Sequence, residues 1–423
     1  MTNPEEKELL QKGISRRNML KLAGVGGAGA LIGATGLTGA LTAIGANPFA
    51  DDDKTAISKI DFYGSYQSGI LTKTPEHIYF VSLNCVAKSK AELKELFQLW
   101  TTQSVELMNG RLVEPYKTNT LLPPTDTGEA TGLDAKHLTL TFGVGPSLFE
   151  KDELGLLKMK PKELNALPHF PKDQLDPHYV GGDICIQACA DDPQVAFHAV
   201  RNLVRSARGK VTMRWSQVGF NSYEMKNKAK QTPRNLFAFK DGTGNPNVDN
   251  QQEMDEVVWV QPGESKSWMT GGTYLIARRI PMHLETWDRT ALREQEATFG
   301  RHRDSGAPIG KTEEFEDMGL ERTESGESIV PVTSHVFLAK QVKDRLLRRS
   351  FSYSDGINPN TGAFDAGLLF ISFQKHPQQF INIQNSFGRI DKLNEYITHR
   401  GSAIFACFPG VEKGSYLGAE LFS

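Results

Sequence analysis

Two distant stretches of this chain can be laid on one another. G-G-D-I-C-I-Q-A-C-A-D-D-P-Q-V-A-F from Gly181 matches A-G-L-L-F-I-S-F-Q-K-H-P-Q-Q-F from Ala366 in layout. Each reads as a buried strand, a short turn containing Pro-Gln, and a helix with Pro in its first turn, where the missing N–H costs nothing. Gly272–Ile280 followed by Leu284–Thr298 likewise mirrors the strand from Ile78 and the helix Ser89–Met108, which carries Leu93, Leu96, Phe97 and Trp100 on one face. Strands His137–Val144, Gly182–Ala190 and Val211–Phe220, with a helix from Pro193 to about Ala207, complete the order β-α-β-β-α-β. That is the split βαβ arrangement of ferredoxin-like folds. The echo therefore predicts an α+β chain of two tandem ferredoxin-like domains with antiparallel sheets, residues 60–226 and 227–423, joined near the Lys-, Gln- and Pro-rich stretch Asn227–Arg234. A cleft between such sheets is a natural cofactor pocket.

At 423 residues the chain is longer than two such units require, and the excess sits at the front. Residues 22–50 hold no charged side chain and follow Lys12, Arg16, Arg17 and Lys21, the layout of a targeting segment. The run contains eight glycines between Gly24 and Gly45 and few large apolar residues, so its affinity for a bilayer is weak. S-R-R-N-M-L-K, Ser15 to Lys21, resembles a twin-arginine export signal. The competing reading is a single membrane anchor. Residues 1–50 are thus expected to be a signal peptide handled by the twin-arginine translocase, and 51–59 an acidic, polar linker. The protein would then reside in the periplasm, at the cell surface or in the medium, tethered to the membrane if the leader is not cleaved. That route carries folded proteins, commonly with a cofactor already installed.

A net charge of -2 argues against a nucleic-acid partner, which would call for a basic excess. Four cysteines, Cys85, Cys185, Cys189 and Cys407, are too few for a disulfide scaffold and lack zinc or iron–sulfur spacing. No H-E-x-x-H or H-x-x-x-H pair marks a metal-binding helix, and no G-K-S/T marks a phosphate loop.

Several residues remain with two readings each. F-A-F-K-D-G-T-G-N-P, Phe237 to Pro246, is a good turn on composition alone, yet it holds Asp241 after an apolar run that would set it at a pocket edge. His335, in T-S-H-V-F-L-A-K, is either a hydrogen-bonded structural histidine or a ligand. L-L-R-R-S-F-S-Y, Leu346 to Tyr353, sets two arginines among aromatics; a buried arginine needs an anionic partner, whereas a surface one forms an ordinary salt bridge. Asp365, before the apolar strand Leu368–Phe373, is a turn residue or a functional carboxylate.

Taken jointly, F-K-D-G-T-G-N, T-S-H-V, L-L-R-R-S-F-S-Y and D-A-G-L-L-F-I-S-F-Q resemble the dye-decolorizing peroxidases, and within them the exported EfeB-like, deferrochelatase branch. F-Y-G-S-Y-Q-S-G-I at Phe62, L-P-P-T-D-T-G-E at Leu122 and F-G-R-H-R-D-S-G-A-P-I-G at Phe299 extend the match over nearly the whole chain after the leader. The resemblance implies two ferredoxin-like domains and one haem b per chain, in a cleft of the C-terminal domain. It implies that His335 ligates the iron and that Asp365 receives the other ring N–H of that histidine, fixing its tautomer and raising its donation to the metal. Asp241 corresponds to the distal aspartate of a G-x-x-D-G motif, although the first position here is Phe or Ala instead of Gly. Arg348 corresponds to the distal arginine, with Arg349 the less suited of the pair, and Gly242, Thr243 and Gly244 are expected to line the cofactor. Asp241 would shuttle a proton between the two oxygens of hydrogen peroxide, and Arg348 would stabilise the developing charge. The implied donors are dyes, phenols or Fe(II), the last in concert with an Efe-type iron permease and its extracytoplasmic partner. The alternatives are a deferrochelatase that frees iron from haem, and a haem carrier without catalysis; a homo-oligomer remains open.

Overall fold

The computed structural model describes residues 59–115, 120–222, 232–319, 322, 326–388 and 390–423. The leader, the linker up to Ser58 and the greater part of the expected junction Asn227–Arg234 lie outside the described residues. In the first half β1 (His77–Cys85) leads into α1 (Lys90–Met108), then β2 (Thr139–Val144), β3 (Ile184–Ala190), α2 (Pro193–Ser206) and β4 (Val211–Phe220). The second half runs through α3 (Gln251–Val257), β5 (Thr273–Pro281), α4 (Leu292–Phe299), α5 (His335–Lys340), β6 (Leu347–Arg348), β7 (Phe351–Ile357), β8 (Phe364–Gln374), α6 (Pro377–Phe387) and β9 (Ala403–Cys407).

Local chemistry sets these boundaries. Ser89 accepts the Glu92 N–H at the start of α1, and Asp192 accepts from Gln194 and Val195 at the start of α2. His376 and Gln379 form a reciprocal capping box on α6. Pro193 and Pro377 both occupy the first turn, so the Pro-Gln echo marks two equivalent helix starts. Two expectations shift. Lys136 and His137 adopt left-handed backbone (φ 45° and 52°), so β2 begins only at Thr139. The helix expected over 284–298 is broken: Leu284–Trp287 forms one turn and α4 restarts at Leu292, because Ala291 is extended (ψ 144°) and the Gln295 side chain caps Trp287 O at 2.9 Å.

Strand pairing gives β4-β1-β3-β2 in the first half and β7-β8-β5-β9 in the second, antiparallel throughout. In each half the central strands are those followed by helices, the ferredoxin-like order, so the fold is two such units. The two sheets also meet edge to edge. Phe220 of β4 pairs with Ser352 of β7, and Gly143 and Val144 of β2 pair with Cys407 and Ala406 of β9. Because β5 is bonded to both β8 and β9, the eight strands other than the short β6 form a closed ring. Phe80, Cys185, Trp215, Leu275, Leu369, Ile371, Phe405 and Cys407 fill its interior. The opposite faces bury α1 and α2, with Trp100 Nε1 donating to Leu203 O at 2.8 Å. The chain from Ile57 onward is one unit. Its C-terminal tail returns to α1: Phe408 and Phe422 pack edge-on against Phe97, and Leu417 N–H donates to Thr101 Oγ1.

Candidate active site

His335 opens α5 immediately after the extended residue Ser334. Its Nδ1 lies 2.8 Å from Asp391 Oδ2, and the imidazole is flanked by Phe387 at 4.3 Å and Phe299 at 6.5 Å between ring centroids. Asp391 is buried, and its Oδ1 accepts the Leu393 N–H at 2.8 Å. A buried carboxylate facing Nδ1 selects the tautomer protonated there and leaves the Nε2 lone pair for a metal. The expected partner was Asp365, and this is corrected. Asp365 stands at the start of β8 and pairs with Arg279 Nη2 at 3.0 Å. Arg279 also holds Asp355 and Gln217 and lies between the rings of Tyr179 and Tyr353. A buried guanidinium needs that anionic company, which commits Asp365 to the ring of strands and away from His335.

Asp241 and Arg348 are brought together. Arg348 Nη1 donates to Asp241 Oδ1 at 2.9 Å, with side chains 29% and 16% exposed, so the pair is reachable from solvent but largely enclosed. Asn245 fixes their relation: its Nδ2 donates to Arg348 O at 2.8 Å and its Oδ1 accepts Arg348 N–H at 3.0 Å. The turn between them is held open by glycine. Gly242 has φ +120°, and a Cβ on Gly244 would meet nothing within 4 Å, leaving a bare backbone face. Thr243 instead turns its hydroxyl to Glu314 Oε1 at 2.8 Å, so this side chain anchors the turn. Ala238, at the position where the motif has glycine, keeps the left-handed backbone (φ 66°) despite its Cβ, a conformation costing about 1–2 kcal/mol.

The histidine and the aspartate–arginine pair share one apolar cluster. Phe239, two residues before Asp241, stacks on Phe299 at 4.1 Å, and Phe299 faces His335; Phe237, Trp287 and Leu393 complete it. Two cavities of ≈ 90 and ≈ 290 Å³ in the first half touch neither His335, Asp241 nor Arg348. Arg349 is buried and donates to Thr72 O, which links β6 to the segment ahead of β1. Asp391, Asn245 and Glu314 were not foreseen. Asp391 precedes K-L-N-E as an ordinary helix cap would, and 56 residues of sequence separate it from His335.

Comparison with known proteins agrees with this fold. The family model for the N-terminal part of Dyp-type peroxidases matches residues 67–221, and that for the C-terminal part matches residues 232–412. A deferrochelatase from Escherichia coli (strain K12) is 35% identical over 404 residues, covering 90% of this chain and 94% of its own. Ferric DtpA from Streptomyces lividans superimposes with a TM-score of 0.79 at 34% identity, covering 86% of this chain and 97% of its own. A DyP-type peroxidase from Streptomyces coelicolor gives 0.79 at 33% identity, with 86% and 97% covered. The fold and these likenesses together define a haem-binding peroxidase. The chain belongs to the Dyp-type peroxidase family. Hydrogen peroxide and a reducing substrate are the reactants that the family implies.

Proposed function

We propose that this chain binds one haem b through His335, reduces hydrogen peroxide beside Asp241 and Arg348, and takes electrons singly from a small donor, Fe(II) among them. The observation that carries this reading is the His335–Asp391 pair at 2.8 Å, which frees Nε2 as a ligand. The residues suit the group. The imidazole, its tautomer set by Asp391, would hold the iron through Nε2, and Gly242 and Gly244 leave backbone without side chains on the turn that carries Asp241. When bound, haem iron supplies the Lewis-acidic, redox-active centre at which peroxide is cleaved. Asp241, paired to Arg348, takes the proton from one peroxide oxygen and delivers it to the other, which leaves as water. Arg348 balances the negative charge that develops on the oxygens, and two donor electrons with two protons complete the second water.

Export by the twin-arginine pathway to the periplasm, surface or medium rests on the Arg16-Arg17 leader, which lies outside the described residues. A role in an Efe-type iron-uptake system, with its permease and extracytoplasmic partner, is favoured by the 35% identity to a relative named deferrochelatase. The same relative supports a second reading, iron release from haem with the porphyrin kept whole. A pure haem carrier would have no use for the Asp241–Arg348 pair. His335→Ala should abolish or shift the Soret band; an unchanged spectrum removes His335 as ligand. Asp241→Ala should slow the peroxide reaction at least 100-fold, the usual scale for a lost acid–base group, and a parent rate from pH 4 to 7 would refute the proton shuttle. Mass spectrometry for free protoporphyrin separates iron release from peroxidase turnover.

A further inference from the structure

Glu314 lies outside every motif used above, on the segment between α4 and α5, yet its buried carboxylate is occupied almost entirely by the turn that carries Asp241. Oε1 accepts from Thr243 at 2.8 Å and from the Thr232 hydroxyl, and Oε2 takes the Lys240 ammonium. Lys240 and Thr243 bracket Asp241 in sequence, so one carboxylate grips both sides of it. The grip is itself braced. Arg301 Nη1 donates to Glu314 O at 2.9 Å and to Gly306 O at 2.7 Å. A Cβ on Gly306 would lie 2.6 Å from Lys240 Cδ, so the lysine stem runs where a side chain would otherwise stand. Burial raises the Glu314 carboxyl, but Lys240, Thr232 and Thr243 outweigh it and hold the group below its ordinary range.

We propose that Glu314 is the positioning residue of the peroxide step: it clamps Lys240 and Thr243 so that Asp241 stays on Arg348. The inference rests on the reading of Asp241 as the proton shuttle. Proton transfer demands hydrogen-bond reach, and a carboxylate on an unclamped turn spends little time there. Arg348 from β6 pairs with Asp241, Lys240 on the same turn pairs with Glu314, and Arg301 from the 300–318 segment feels the charges of Glu314 and Arg348. Replacing Glu314 with a neutral residue frees the turn, so Asp241 spends less time on the Arg348 guanidinium. Losing that cation disfavours the ionised carboxylate, so the acid limb of the rate profile moves to higher pH.

The test compares Glu314→Gln, Thr243→Val and Asp241→Asn in the haem-loaded full chain, following the pre-steady-state peroxide reaction from pH 3 to 8. Glu314→Gln should keep the parent ferric Soret spectrum, slow the reaction about tenfold and move the acid limb upward. Thr243→Val, which keeps the Lys240–Glu314 ion pair, should slow it less and leave the limb in place. In haem-free protein, amide exchange over residues 237–246 should quicken in Glu314→Gln while 347–353 keeps its parent protection. A Glu314→Gln rate within twofold of the parent, or an unmoved limb, overturns the inference while Asp241→Asn stays slow. If Asp241→Asn itself runs at the parent rate, the shuttle reading falls as well.

Discussion

Asp391 is buried with both oxygens engaged, one by the His335 ring N–H and one by the Leu393 N–H. Asparagine can reproduce the shape but not the charge, so Asp391→Asn should make the imidazole a poorer donor. Removing such an outer partner typically costs roughly 10–100-fold in activity or metal affinity. The expected outcome is a raised midpoint potential of the bound haem and a slower peroxide step, read by spectroelectrochemistry and stopped flow; Asp365→Asn should change neither. At this scale motifs pointed to particular residues but not to their partners. Asp241, Arg348 and His335 occupy motif positions, and the structure sets the first two in contact. Asp391 was illegible because buried partners of a ligand are chosen by tertiary proximity, and D-K-L-N presents only as a cap. Asp365 misled for the complementary reason: a carboxylate ahead of an apolar strand suits many neighbours, and Arg279 claimed it.

Strand and helix identities were legible because apolar periodicity and caps are local. Val211–Phe220 and the start of α2 at Pro193 match the expectation, and the Pro-Gln echo falls on equivalent strands, β3 and β8. The joins between the halves were not legible, since one rests on a single residue pair and the other on two, too short to leave a pattern. Gly143 shows what one join requires. It lies directly opposite Cys185 on β3 and Cys407 on β9, and both thiols lean over it. A Cβ there would sit 2.9 Å from Phe405 Cβ, 3.0 Å from Cys407 Sγ and 3.1 Å from Cys185 Sγ. Gly143→Ala should therefore destabilise the protein by about 1–3 kcal/mol, the usual cost of overpacking, measured by denaturant unfolding. Equal stability would mean that the seam can open without loss.

Across the whole molecule, burying His399 beside Arg278 makes folding sensitive to acid. Burial first, then Arg278 and His335, pushes its imidazole down to about 3 from 6.5. The folded state thus keeps His399 neutral while the unfolded chain protonates it. Its contribution is fully present above pH 6.5 and drains away as pH falls toward 3, at a limiting slope of about 1.4 kcal/mol per pH unit. His399→Asn should flatten the decline in unfolding free energy between pH 6 and 4; an unchanged slope would assign the loss to other groups. Above that acid limit the closed ring of strands governs how the molecule meets its neighbours. A free sheet edge is an unpaired row of N–H and C=O groups, ready to accept a strand from another chain. Here β2 and β4, the edges of the first half, are each met at one end by β9 and β7 of the second. Each half thus ties down an end of the other's edges, and a fragment cut between them would free both at once.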